Sequence, residues 1–187
     1  SKTKTGGALL GDRIRYNQIY NDRVFFRSFA TRNSLNELSS AIRDSISVLK
    51  SCGYDIIIVE TSGIGQGDSS VTDISDYTTY VMTSEFGAPS QLEKIDMLDV
   101  ADYIAINKFE KIGSEDAYRE VKIHWLRNHP DTVDKNTPLD KLELPVYASC
   151  SNQFNNPGVN RLFKDLLKLL NEQKANDYKP NLKMIDI

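Results

Sequence analysis

Tyr54-Asp55-Ile56-Ile57-Ile58-Val59-Glu60 is a continuous apolar run that ends on an acid and opens into a glycine-rich turn. Runs of this kind, rather than alternating patterns, mark parallel strands buried on both faces. Asp102-Tyr103-Ile104-Ala105-Ile106-Asn107 repeats the type, and Leu144 to Cys150 gives a further strand. Outward from these, Arg23 to Phe29 and Asp76 to Thr83 are β-branched and aromatic enough for two more. Helical spacing fills the intervals. Leu35, Leu38, Ile42, Ile46 and Leu49 predict a helix over 34–50, with Ser34 and Glu37 as a capping box and Gly53 as its stop. Further helices are expected over 90–99, over 115–127 behind a Ser114 cap, and over 158–171. His129-Pro130 ends the helix over 115–127, and 131–140 is a polar loop. Strand–helix alternation predicts a mainly parallel α/β sheet flanked by helices. Ligands of such sheets sit beyond the carboxyl ends of the strands.

Length and composition fit that architecture. The 187 residues suit one domain, with a polar tail from about 172 to 187. Apolar residues make up 40% and charged residues 26%, which excludes a disordered chain. A net charge of −3 argues against a nucleic-acid module with a dominant basic face. No apolar run approaches the length of a membrane span, and Ser1 to Gly7 lacks the apolar stretch of a secretory signal. Cys52 and Cys150 are too few for a disulfide framework, so a reducing, cytoplasmic setting is expected. Ser1 in place of an initiator Met is expected to be a processed or cut end of something longer.

The chemistry is sought after the strands. Glu60 followed by Thr61-Ser62-Gly63-Ile64-Gly65-Gln66-Gly67-Asp68 suits a nucleoside triphosphate site. The carboxylate can hold Mg²⁺ directly or through water, and glycine amides can approach a γ-phosphate where a side chain would clash. The plain alternative is a glycine-rich turn beside one exposed Glu. After the next buried strand, Asn107-Lys108-Phe109-Glu110 resembles the NKxD base-recognition motif of GTPases. There the Asn braces loops, the Lys stem packs over the purine, and the acid accepts from the guanine N1–H and N2–H₂ edge. Glu110 stands where that motif has Asp, one methylene longer, which opens the question of strict guanine selectivity. Ser149-Cys150-Ser151-Asn152 falls where GTPases place a short loop beside the base. Cys150 is expected to be a small apolar residue rather than a reactive thiol. Asp12 and Asp22 flank a loop and can complete a metal shell with Glu60; the alternative is surface charge. His124 and His129 lack the acidic or thiol companions of a metal site.

Four runs carry a closer resemblance: Thr5 to Arg15 (TGGALLGDRIR), Phe26 to Arg32 (FRSFATR), Val59 to Gln66 (VETSGIGQ) and Glu85 to Met97 (EFGAPSQLEKIDM). Over about 5–170 the chain resembles the G-protein chaperones of cobalamin-dependent acyl-CoA mutases, the methylmalonyl-CoA mutase-associated GTPases, and above all the G-domain embedded in fused isobutyryl-CoA mutases. The resemblance implies a P-loop GTPase-like fold that binds GTP or GDP and Mg²⁺. It implies that Asp12, Asp22 and Glu60 are the metal-side acids, and that Glu60, Gly63 and Gln66 belong to the catalytic switch. Asn107, Lys108, Glu110, Ser151 and Asn152 would form the base site, and 84–97 a further switch segment. In the intact parent, GTP hydrolysis would gate adenosylcobalamin loading and protect the mutase. The partners implied are cobalamin-binding and acyl-CoA mutase domains, with adenosylcobalamin held by those other domains.

One departure is large. No G-x-x-x-x-G-K-[ST] stretch occurs in these residues, so the first strand and the Walker A loop of a P-loop GTPase are missing. The chain by itself is therefore expected to bind GTP weakly and to be inactive, and an uncovered sheet edge would favour self-association into homo-oligomers. Two alternatives stay open: a non-hydrolysing regulatory or docking module of a mutase, and an unrelated α/β nucleotide-binding protein.

Overall fold

In the computed structural model, residues 20–29, 38–61, 70–86, 92, 95–132, 137–174 and 177–180 are described. The chain divides into two units, Ser1–Asp76 and Tyr77–Ile187.

In the first unit, α1 spans Ile42–Ser51. It starts later than its apolar spacing predicts; the expected Ser34–Glu37 box lies outside the described residues. The stop is as expected. Gly53 takes φ +79°, its N–H donates to the Lys50 carbonyl at 3.1 Å, and the Tyr54 N–H donates to the Leu49 carbonyl at 3.3 Å. This is the Schellman pattern that a left-handed glycine permits. Residues 24–29 and 54–60 run without regular secondary structure and carry no strand ladder among the described residues, against the strands expected there. Ile56 is 49% and Ile58 86% exposed. Apolar character sets where a strand is favourable; ladder formation also needs a neighbour for its N–H and C=O groups.

The second unit holds the sheet. β1 (Thr79–Thr83), β2 (Tyr103–Asn107) and β3 (Val146–Ser149) pair in the order β1-β2-β3, all parallel. The register of the first pair is pinned at its start. The Thr78 backbone N–H and hydroxyl both donate to Asp102 Oδ2, at 2.7 and 3.0 Å, one residue before the Thr79–Tyr103 pair. A short 3-10 turn, Ser84–Phe86, and α2 (Met97–Val100) follow β1. α3 (Ser114–Asn128) links β2 to β3, and α4 (Pro157–Lys174) follows β3 and packs on it. β2 is central, and its apolar run is buried as expected: Ile104 and Ile106 are at most 1% exposed. Val121 of α3, Val146 of β3 and Leu98 of α2 are fully buried as well. Each such side chain stabilises the fold by about 1.5–3 kcal/mol relative to exposure.

Two helix ends depart from the sequence reading. Gly113, at φ +83°, caps α3, and Ser114 is its first helical residue, 1% exposed with no partner for Oγ. The left-handed turn available to glycine moves the helix start one residue earlier than a serine cap would. α4 begins at Pro157 and runs to Lys174, past the point where the polar tail was expected. Tyr178 folds back on it: its N–H donates to Asn171 Oδ1 at 2.8 Å, and Asn171 Nδ2 donates to its carbonyl at 3.1 Å.

Lys122 is 5% exposed on α3, and its ammonium donates to the carbonyls of Leu139 and Leu142 at 2.6 and 3.2 Å. Those bonds hold the Leu139–Lys141 turn where a polar loop was expected. Burial pushes the Lys122 ammonium below its ordinary value.

Candidate functional site

Parallel pairing brings three strand ends to one edge, because Thr83, Asn107 and Ser149 lie in register. The segments that leave these ends build the site.

Beyond β2, Lys108 turns the chain with φ +56°, and the Lys111 N–H donates back to its carbonyl at 3.0 Å. A non-glycine residue in this region costs about 1–2 kcal/mol, so neighbouring contacts must hold it. The Phe109 N–H donates to the Ser149 carbonyl at 3.1 Å, and the Phe109 ring meets Tyr118 of α3 edge-on at 5.8 Å. Lys108 and Glu110 are left exposed at the edge.

Beyond β3, the chain is laced to that turn. Asn107 Oδ1 accepts the Ser151 N–H at 3.1 Å, and Asn152 Nδ2 stands 3.5 Å from Glu110 Oε1. The Ser149 hydroxyl, buried, reaches the Ile106 carbonyl at 3.4 Å. Asn156 Oδ1 accepts the Cys150 N–H at 3.2 Å and the Val159 N–H at 3.3 Å.

The electrostatics of this edge are set by Glu110. Its own backbone N–H and then the Cys150 thiol hold its carboxyl below the usual carboxylate range, with Lys111 and Lys108 adding to the effect. Burial and then the bond to Glu110 push the Cys150 thiol up, so it remains a protonated donor. Lys111 Nζ pairs with Glu85 Oε1 at 2.9 Å, which joins this turn to the 3-10 turn after β1. An ionised, acceptor-only carboxylate beside a lysine stem and a braced Asn can accept from a planar base that presents two donors on one edge.

The other expected residues belong to the first unit or lie outside the described residues. Asp22 is exposed within a turn in which Asn21 Oδ1 accepts the Arg23 N–H at 2.9 Å. Glu60 is exposed at the end of the extended run. Asp12, Gly63 and Gln66 lie outside the described residues. Among the described residues no three acids, thiols or imidazoles gather into a metal-holding group. The hard oxygen donors of Asp22 and Glu60 are of the type Mg²⁺ takes. His124 Nε2 of α3 lies 3.0 Å from Asp99 Oδ1 of α2, and the His129 ring stacks on Trp125 at 4.2 Å at the end of α3. Among the described residues, no helix is long and apolar enough to cross a membrane.

Sequence reasoning missed Asn156, and it missed the Lys111 pairing of Glu85, which it placed only within the 84–97 segment. Asn155-Asn156-Pro157-Gly158 carried a usable signal for the first, since Asn at a cap followed by Pro marks a helix start. Glu85 carried none, because its partner is distant in sequence.

Comparison with known proteins adds to this geometry. The family model described as methylmalonyl-CoA mutase-associated GTPase MeaB matches residues 1–171. A fused isobutyryl-CoA mutase of Geobacillus kaustophilus is 55% identical over 185 residues, covering 99% of this chain and 17% of that protein. A fused isobutyryl-CoA mutase of Cupriavidus metallidurans is 48% identical over 170 residues, covering 91% of this chain and 15% of that protein. A mitochondrial methylmalonic aciduria type A homolog of Caenorhabditis briggsae is 31% identical over 105 residues, 56% of this chain and 26% of that protein. The chain thus spans under a fifth of the fused mutases that it matches. With the model covering most of its length and a parallel GTPase-like α/β sheet beneath it, the chain belongs to the methylmalonyl-CoA mutase-associated GTPase family, MeaB.

Proposed function

We propose that the chain forms the base-recognition and switch part of a GTPase domain that serves a cobalamin-dependent acyl-CoA mutase. The observation that carries this reading is the Asn107–Ser151 brace, which sets Glu110 and Lys108 at the carboxyl edge of a parallel sheet. Glu110 accepts from the guanine edge, the Lys108 stem covers the ring, and the 149–152 loop closes the side of the base.

Glu60 and Asp22, with Asp12, are the acids proposed to hold Mg²⁺, which when bound neutralises charge between phosphate oxygens. Gly63 and Gln66 are proposed as the switch that senses the γ-phosphate, and 84–97 as the segment that carries nucleotide state to the mutase. The phosphate cradle must come from residues outside these 187, which contain no Walker A stretch. In a protein built like the fused relatives, the partners are the cobalamin-binding and mutase modules of the same polypeptide. GTP hydrolysis there gates the loading of adenosylcobalamin and protects the mutase.

The missing cradle also supports a second reading, a docking module that does not hydrolyse nucleotide. Calorimetric titration with GTP, GDP and Mg²⁺ separates the two. The 187-residue chain should bind weakly, and a polypeptide that adds a Walker A segment should bind tightly and hydrolyse GTP. Absence of guanine nucleotide binding by the longer polypeptide would sink the GTPase reading.

A further inference from the structure

We propose that Asn156 is a positioning residue for base recognition, one side chain that ties the start of α4 to the loop closing the base site. This rests on the reading of 107–110 and 149–152 as a guanine site.

Asn156 precedes Pro157, the first residue of α4, and so occupies the cap position. Its Oδ1 accepts the Val159 N–H at 3.3 Å, the bond expected of a cap to the third helical residue. The same oxygen accepts the Cys150 N–H at 3.2 Å, and Nδ2 donates to Gln153 Oε1 at 3.1 Å. One carboxamide therefore serves the helix with one bond and the loop with two. Its backbone carbonyl also accepts the Asn160 N–H at 2.9 Å.

The anchor beneath it is rigid. Gly158 lies so close to β3 that a Cβ there would run into the Ala148 carbonyl. The first turn of α4 thus rests directly on the strand from which the loop departs. Asn160, 8% exposed, donates through Nδ2 to Asn155 Oδ1 at 2.8 Å and holds the residue before the cap, which takes φ +57°.

The loop amide that Asn156 fixes belongs to Cys150, whose neighbours make the cross-loop contacts. Ser151 donates to Asn107 Oδ1, and Asn152 reaches Glu110. The Cys150 thiol also helps to hold the Glu110 carboxyl below its ordinary range. Displacing the Cys150 backbone therefore moves the loop groups that meet Asn107 and the Glu110 carboxylate. A residue acting in this way changes how well the site tells bases apart, whereas a helix cap alone changes stability.

Asn156→Ser and Asn156→Asp separate these roles. Serine caps a helix about as well as asparagine, but its shorter side chain cannot also span to Cys150 and Gln153. Aspartate keeps the acceptor for both N–H groups, and the Gln153 carboxamide can turn its own N–H₂ toward the second carboxylate oxygen. The test measures affinity for GDP and IDP, which lacks the guanine amino group, together with thermal midpoint, in the polypeptide that includes the phosphate loop. Asn156→Ser should keep its midpoint near wild type, lose GDP affinity about three- to tenfold, and narrow the GDP-to-IDP ratio. Asn156→Asp should retain both affinity and ratio. An unchanged ratio in Asn156→Ser, with GDP affinity kept or lost in step with IDP, would overturn the inference. If the wild-type polypeptide itself binds no guanine nucleotide, the base-site reading falls and takes this inference with it.

Discussion

The Asn107 side chain accepts the backbone N–H of Ser151 at 3.1 Å across 44 residues of sequence. The bond joins the carboxyl ends of β2 and β3, where the Phe109 N–H also donates to Ser149. Two loops that could drift independently are therefore held as one edge. The acceptor belongs to the first letter of the NKxE motif and the donor is main chain, so the identity of residue 107 matters more to this contact than that of residue 151.

Asn107→Ala should weaken GDP binding about tenfold in a polypeptide with its phosphate loop, through loss of this brace. The Ser151 amide is exposed and can turn to water, so the cost to folding should stay near 0.5–1.5 kcal/mol. Equilibrium titration and urea denaturation on the same variant check the two parts. A stability loss with unchanged affinity would assign Asn107 to the fold alone.

Glu110 tests the base reading directly. Glu110→Asp restores the shorter acid of the NKxD motif and should shift the preference for GTP over ATP and ITP. An unchanged GTP-to-ATP ratio would remove Glu110 from the base-reading residues. The pH response has a defined sign. Its folded carboxyl sits below the ordinary 4.5, held by its own amide first and then by Cys150. The ionised acceptor is thus fully present at neutral pH and is lost only as pH falls through that depressed value. Guanine preference should be flat from pH 8 to pH 5, and a titration centred near pH 6 would point to another group.

The sheet was legible because Ile104, Ile106 and Val146 sit in runs with no polar interruption, which only a doubly covered parallel strand needs. Gly53 was legible for a related reason: a left-handed stop admits few other residues. The 54–60 run shows the limit. Its apolar character is as strong as that of β2, yet it has no ladder among the described residues, because hydrogen-bond partners are a property of neighbours and not of the run. Ser114 shows another. Serine is a good cap, but Gly113 beside it can turn left-handed, and geometry chose the glycine. In the candidate site, Asn107 and Glu110 could be read from their spacing after a strand. The contact of Glu85 with Lys111 could not, since it depends on how separate segments meet, and the pattern at Asn156 marked a helix cap but not its tie to Cys150.

Gly158→Ala should destabilise the fold, against the usual gain of about 0.5–1 kcal/mol for replacing glycine in a helix. The added Cβ would collide with the backbone carbonyl of Ala148, which has no rotamer by which to escape. Relief requires α4 to lift from β3. Overpacking of this kind typically costs about 1–3 kcal/mol, visible as a lower thermal midpoint. A raised midpoint would mean that α4 does not lie as close to β3 as the structure has it.

Tyr147 offers a test in alkali. Its hydroxyl donates to Asp165 Oδ2 at 2.7 Å, its ring is 2% exposed, and the Arg161 guanidinium stands 5.5 Å from the ring centre. Burial first, and then the bond and charge of Asp165, push its pKa far above the ordinary value of 10.0. The folded chain keeps this proton where the unfolded chain has released it. The stability Tyr147 contributes is therefore complete below pH 10 and declines above it, by about 1.4 kcal/mol per pH unit for a single group. Tyr103 is also raised, so the wild type should fall more steeply than one tyrosine alone would require. Tyr147→Phe should lose about 1 kcal/mol at pH 8 through the missing hydrogen bond, yet fall less steeply from pH 10 to pH 11. Denaturant midpoints across that range decide the matter: parallel curves for the two proteins would show that the Tyr147–Asp165 pair does not hold its proton in the folded state.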